Sequence, residues 1–224
     1  MTPRGYGTLR SMRAFALLLL LSLAAPATAF AQQDKRPIGL FAFDIRGFYS
    51  GLGKDPVTAA NLGVPLTSLP GRALGGVAGL HLYLLRRSNL AVGIGAEGVL
   101  ARSRFQDKDP ATGDPAGDPI TQRLRGLAPQ ISLNFGHRQG WSYVSAGMGP
   151  LSLSTYQAAA APADPPPVKR TINMGAGARW FSTNHVAFCF DLRFYLTRPE
   201  DQTASYPGRQ RTRLAVISAG VSFK

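Results

Sequence analysis

The 224-residue chain has one cysteine, three histidines and two tryptophans, which limits several kinds of chemistry at the outset. A single thiol, Cys189, cannot form an internal disulfide, and neither C-x-x-C nor zinc-ligand spacing occurs. A lone buried thiol behaves as a small apolar residue, and Cys189 is read that way. No stretch beyond the N-terminal segment approaches the roughly 18 consecutive apolar residues of a spanning helix, so a helical membrane protein is not expected. Acidic residues are scarce as well: 12 Asp and Glu stand against 25 Lys and Arg, giving a net charge of +13. Such a balance can signal nucleic-acid binding. An export signal and the placement of the arginines argue instead for no nucleic-acid partner.

Residues 1–31 read as a cleavable signal peptide. Arg4, Arg10 and Arg13 make a basic start without an acid, and an apolar run fills residues 14–23. That run is short of the roughly 20 residues a membrane-spanning helix needs. Ala27-Thr28-Ala29 and Ala29-Phe30-Ala31 are both A-x-A-like, and cleavage after Ala31 leaves the polar start Gln32-Gln33-Asp34. Translation from Met1 or from Met12 yields a complete signal. No cysteine lies near the cleavage site, so no lipoprotein anchor is expected. The mature chain, 32–224, reads as one domain with a net charge of +10 once the three signal arginines are removed.

In the mature chain a segment recurs in which every second residue is apolar. Eight such segments lie near 37–49, 72–86, 89–103, 122–136, 141–154, 170–182, 185–197 and 211–223. In the seventh, Val186, Phe188, Phe190, Leu192, Phe194 and Leu196 share one face, and Ala187, Cys189, Asp191, Arg193 and Tyr195 the other. Successive β side chains point to opposite faces, so these are strands with one greasy face and one polar, glycine-rich face. The fourth and fifth fit less well. Pro129 and Pro150 lie inside them, and each predicts a bulge or a shortened strand. The faces of the fifth stay unassigned.

Connection lengths alternate. Long ones fall near 50–71, 104–121, 155–169 and 198–210, rich in Pro, Gly, Asp, Ala and Thr. Short ones are Arg86-Arg87-Ser88-Asn89, residues 136–140 and residues 182–185. A soluble barrel of the lipocalin kind would turn the greasy face inward. Three features favour the reverse. The large residues are on the greasy face and small ones on the other. Aromatics stand at strand ends, with Trp141, Tyr143, Trp180 and Phe223 on the periplasmic side and Tyr49 on the outer side. Loop lengths alternate as in outer-membrane barrels. The expected fold is all-β: an eight-stranded antiparallel up-and-down transmembrane β-barrel after a cleavable signal peptide.

On this strand pattern, on Arg179-Trp180-Phe181 leading into residues 185–195 with Asp191-x-Arg193, and on the end from Val216 to Phe223, the chain resembles the small bacterial outer-membrane barrels of the OmpA-transmembrane-domain and OmpX type. The resemblance covers the whole mature chain and is one of architecture. It implies a bacterial outer-membrane location with both termini periplasmic. It also implies that Phe223 ends an assembly signal for the outer-membrane assembly machinery. Lys224 follows it here, a departure from the family pattern.

The lumen face is expected to carry Asp44, Arg46, His81, Glu97, Gln130, Asn134, Arg179, Asp191 and Arg193. Of these, Asp44, Glu97 and Asp191 balance Arg46, Arg179 and Arg193. Charges in so narrow an interior must pair, so the expectation is a salt-bridge plug; the alternative is a narrow gated pore in which the pairs exchange. A further alternative is an outer-leaflet lipid-modifying enzyme, which would need a histidine near a serine or carboxylate at the outer rim. His81 falls mid-strand, and His137 and His185 fall by periplasmic turns, so no catalytic residue is assigned. Asp107, Asp109, Asp114 and Asp118 are read as a solvated acidic loop, and neither metal nor cofactor is expected. Finally, Arg72, Arg102, Arg104, Arg123, Arg125, Arg170, Arg198 and Arg213 all stand at outer strand ends on the greasy side. Guanidinium groups there would meet outer-membrane lipid and the phosphates of lipopolysaccharide; the bland alternative is snorkelling or solvated bases. The long outer loops offer a surface for a further partner.

Overall fold

The computed structural model describes residues 37–224, so the signal peptide and its cleavage site lie outside the described residues. Eight strands follow in order: β1 (Phe41–Gly51), β2 (Arg72–Arg87), β3 (Leu90–Lys108), β4 (Pro115–His137), β5 (Gly140–Gln157), β6 (Lys169–Phe181), β7 (Val186–Leu196) and β8 (Arg213–Phe223). Each pairs antiparallel with its sequence neighbours, and β8 returns to β1 from Phe43 opposite Phe223 to Ser50 opposite Val216. The sheet is a closed barrel with no free edge. No helix among the described residues is long and apolar enough to cross a membrane.

Strict alternation decides which face is which. β1 and β7 alternate exposed and buried residues along almost their whole length. The exposed members are the greasy ones: Phe188 is 55 % exposed, Phe194 41 %, Ile131 64 % and Leu100 62 %. Asp44, Arg46, Glu97, Arg179, Asp191 and Arg193 are buried in the interior. Large apolar side chains girdle the outside, a contiguous surface far beyond what a soluble monomer leaves bare.

Three strand-level expectations are corrected. The connection near 104–121 is mostly strand, because β3 and β4 continue as a hairpin and leave only residues 109–114 as its tip. Pro129 and Pro150 cause neither a bulge nor a shortened strand. The β4–β5 ladder lapses between Gly126 opposite Leu151 and Gln130 opposite Gly147, yet the register is the same on both sides. Both prolines face this one gap, so the two missing donors fall together and the damage stays local. Strands there run close: a Cβ on Gly147 would meet Pro129 O at 1.9 Å, and one on Gly149 would meet Leu127 O at 2.0 Å. The bulges occur elsewhere, between Tyr83 and Leu85 and between Phe105 and Asp107.

The third correction is in β5. Trp141 and Tyr143 do not join an outer aromatic girdle but point into the barrel, each 2 % exposed. Trp180, Phe223 and Tyr49 do face outward, at 41 %, 37 % and 43 %. Tyr143 fits because Gly177, across the β5–β6 ladder, has no side chain; a Cβ there would lie 2.5 Å from the Tyr143 ring.

Candidate functional site

From the short-turn end to the long-loop end, the lumen is filled in layers. Tyr83, Trp141, Ile38, Ala42 and Ala91 form an apolar floor. The Trp141 ring meets Tyr83 edge-on at 5.8 Å and stacks on Phe181 at 4.9 Å. Lys224 Nζ lies 3.6 Å from the Phe181 ring centre, a cation–π contact at the end of the chain.

Charge occupies the next layer. Arg179 grips Asp44 through two nitrogens, with Nε donating to Oδ1 at 3.0 Å and Nη2 to Oδ2. Arg46 Nη2 donates to Glu97 Oε1, and Arg46 Nη1 lies 3.3 Å from Asp191 Oδ1. Arg193 Nη2 donates to Asp191 Oδ2 at 3.1 Å, and its Nε lies 3.1 Å from Glu97 Oε2, within ion-pair range but poorly aligned for a hydrogen bond. Asn173 Oδ1 and Ser145 Oγ accept from Arg193 at 2.8 and 2.9 Å. The three acids and three arginines singled out by sequence thus fall into a pair, Arg179 with Asp44, and a ring of four, Arg46, Glu97, Arg193 and Asp191, with His81 Nε2 between them at 3.8 Å from Asp44 and 3.7 Å from Glu97. Sequence reasoning missed Tyr143. Its hydroxyl donates to Asp191 Oδ2 at 2.8 Å, and the Arg179 guanidinium lies over its ring at 4.4 Å.

Asp44, His81 and Glu97 also bring potential metal-ligand atoms within 4.8 Å of one another. Both carboxylates are already engaged by arginines, so a cation would have to displace them against three guanidinium charges. The set suits internal neutralisation better than metal binding.

Above the charges, the polar lumen expected from sequence gives way to an apolar one. Phe48, Val77, Val99, Leu124, Leu151, Leu153, Tyr195, Leu214 and Val216 pack together inside the barrel. Phe48, Val99 and Tyr195 share strands with the charged layer, whereas Val77, Leu124, Leu151, Leu153, Leu214 and Val216 come from β2, β4, β5 and β8, which carry none of the six charges.

The long loops then meet over this end. Helix α1 (Pro56–Leu62) in the first loop starts at Asp55, whose Oδ1 accepts from Val57 N at 3.1 Å. Asp55 Oδ2 accepts from Gln210 N at 2.9 Å, which ties the helix to the fourth loop. Ser68 Oγ donates to Asp107 Oδ2 at 3.0 Å. Tyr206 Oη donates to the Asp164 carbonyl at 2.9 Å, joining the fourth loop to the Ala- and Pro-rich residues 158–167 of the third. Burial, with Asp164 beside it, raises the Tyr206 pKa above its ordinary value. A buried pair, Arg209 Nε and Glu200 Oε2 at 3.1 Å, staples the fourth loop across an isolated bridge. Sequence reading did not find that pair, because its partners share no strand.

The chain is an eight-stranded β-barrel of the outer-membrane type. The closed antiparallel topology, the greasy outer belt and the filled lumen together define it. No family model matches the sequence, and no curated protein matches it. Solved structures of similar strand arrangement include Neisserial surface protein A, 12 % identical over 83 % of this chain and 97 % of that one, with a TM-score of 0.46. Another is the outer membrane protein OprG from Pseudomonas aeruginosa, at 11 % identity, 85 % and 98 % coverage and a TM-score of 0.46. A third is Ail, the attachment invasion locus protein of Yersinia pestis, at 10 %, 85 %, 99 % and 0.42. Likeness this distant says nothing of a shared role.

Around the long-loop end of this barrel stand the eight arginines. Arg72, Arg102, Arg104, Arg125, Arg170, Arg198 and Arg213 are exposed, and Arg123 is half-buried over the Tyr156 ring at 5.5 Å. Among the described residues, none of the eight has a carboxylate within ion-pair distance. At the opposite end, Phe223 faces outward and stacks on Phe43 with ring centres 6.3 Å apart.

Proposed function

We propose that the protein is a non-enzymatic outer-membrane barrel with a structural or surface-interaction role. In this reading the signal peptide exports the chain and the assembly machinery recognises its Phe223 end. Both termini face the periplasm. The long loops face outward as a surface for a partner, and the rim arginines contact lipopolysaccharide.

The observation that carries the reading is the filled lumen. The buried network of Asp44, Arg46, Glu97, Arg179, Asp191 and Arg193 is stacked between an apolar floor and an apolar upper layer. An ion crossing this interior would have to break paired charges in a low-dielectric setting, at a cost of several kcal/mol each. Against catalysis stands the position of the histidines: His81 is buried among the lumen charges, while His137 and His185 lie at the short-turn end.

Planar-bilayer recording tests the plug. The expected record is a baseline without large, steady channels. Large steady channels would contradict the plug, and brief voltage-dependent openings would favour the narrow gated pore. Mass spectrometry of lipid A from cells with and without the protein tests the non-enzymatic part, with unchanged acylation expected.

A further inference from the structure

The rim arginines are not evenly spread. Four of them, Arg102, Arg104, Arg123 and Arg125, belong to β3 and β4 alone. The register sets Arg102 directly opposite Arg123. Like charges directly opposite each other in a ladder are destabilising. Arg125 stands opposite Ser152 of β5, and Arg123 opposite Ser154, all on the outward face by alternation.

Ser152 adds an independent sign. It is only 5 % exposed, and its hydroxyl has no hydrogen-bond partner. A buried hydroxyl left unpaired is costly unless something supplies a partner. The Tyr156 ring beneath Arg123 helps fix that guanidinium in place. Asp164, in the neighbouring loop, accepts from Ser205 and forms no ion pair with any of these arginines. A group with several anionic oxygens would relieve the arginine pair and complete the Ser152 hydroxyl. Guanidinium forks match phosphate oxygens two at a time.

The surface just below is apolar. Leu100 and Leu127 end the belt directly beneath the quartet, at 62 % and 50 % exposed. Further along the same face, Leu80, Ile94, Ile131 and Met148 line a groove of about 620 Å³ across β2 to β5. Basic head and apolar groove share one stripe of the wall.

We propose that the outward face of β3–β5 is a single binding site for one phosphorylated, acylated glycolipid of the outer leaflet. The phosphate sits among Arg102, Arg123, Arg125 and Ser152, and an acyl chain runs down the groove. The site rests on the lipopolysaccharide reading of the rim and narrows it to one sector of the barrel.

The test is native mass spectrometry of the refolded full chain in detergent micelles, titrated with bis-phosphorylated lipid A, dephosphorylated lipid A or inorganic phosphate. The expected result is one lipid A retained per barrel, with dephosphorylated lipid A held at least about tenfold more weakly and inorganic phosphate failing to compete. Replacing Arg102, Arg123 and Arg125 together by glutamine should weaken retention about tenfold or more. Replacing Arg72, Arg198 and Arg213 by glutamine should change it less than about threefold, and Ser152→Ala should weaken it about two- to fivefold. These side chains face outward, and heat-modifiable migration confirms that each variant has folded. Equal loss from both triple variants would overturn the single site while leaving the rim reading intact. Competition by inorganic phosphate would replace the glycolipid with a free anion. No preference for the phosphorylated lipid in the unmodified chain would overturn the rim reading itself.

Discussion

Glu97 is the most contested group in the lumen. Arg46 and Arg193 both lean on it, and His81 Nε2 lies 3.7 Å from its Oε1. Glu97→Gln leaves two buried guanidiniums sharing Asp191. Breaking a buried pair by removing one partner costs about 3–5 kcal/mol, because the survivor is stranded. Urea titration of the refolded barrel in lipid vesicles should show a loss of that order. Tyr143→Phe removes one charge-assisted hydrogen bond and should cost about 1–3 kcal/mol in the same assay. The charged residues were legible in the sequence because alternation put them on the non-greasy face and their signs balanced. Tyr143 was not. An aromatic near a strand end looks like a girdle residue until its partner, Asp191 on β7, and its vacancy, Gly177 on β6, are brought beside it by closure of the barrel.

At the scale of elements, β4 and β5 show how a closed wall tolerates proline. The Leu127 carbonyl points towards Pro150, which has no N–H to offer it, since a Cβ on the adjacent Gly149 would meet that oxygen at 2.0 Å. Pro150→Ala supplies the donor where the register is already correct. It should stabilise the barrel by about 0.5–1.5 kcal/mol, and the amide of residue 150 should be protected from hydrogen exchange. An unprotected amide there would mean that the gap is a true separation of strands. The loop cap is a separate element with its own test. Asp55→Ala removes the N-cap of α1 and its tie to Gln210, at a cost of about 1 kcal/mol. Hydrogen exchange should rise in residues 56–62 and 208–212 and stay unchanged in the strands. Strand existence and order were readable from the period-two pattern. The outward extension of β3 and β4 was not, because residues 104–119 are polar and hold Pro and Gly, and only their mutual pairing makes them strand.

For the whole molecule, the decisive feature is which face meets solvent. The belt of exposed Phe, Leu and Ile requires a hydrocarbon surrounding, and the charge layer requires its absence. The two together suit a barrel immersed in a bilayer with a sealed interior. The positive charge of the chain divides accordingly. Three arginines are neutralised inside, and eight gather outward where the belt ends. The most direct measurement is subcellular fractionation of the full chain expressed in a Gram-negative host, followed by gel migration with and without boiling. Recovery with the outer membrane is expected, with a folded band that shifts on heating. Recovery in the soluble periplasmic fraction, with no heat-dependent shift, would contradict it.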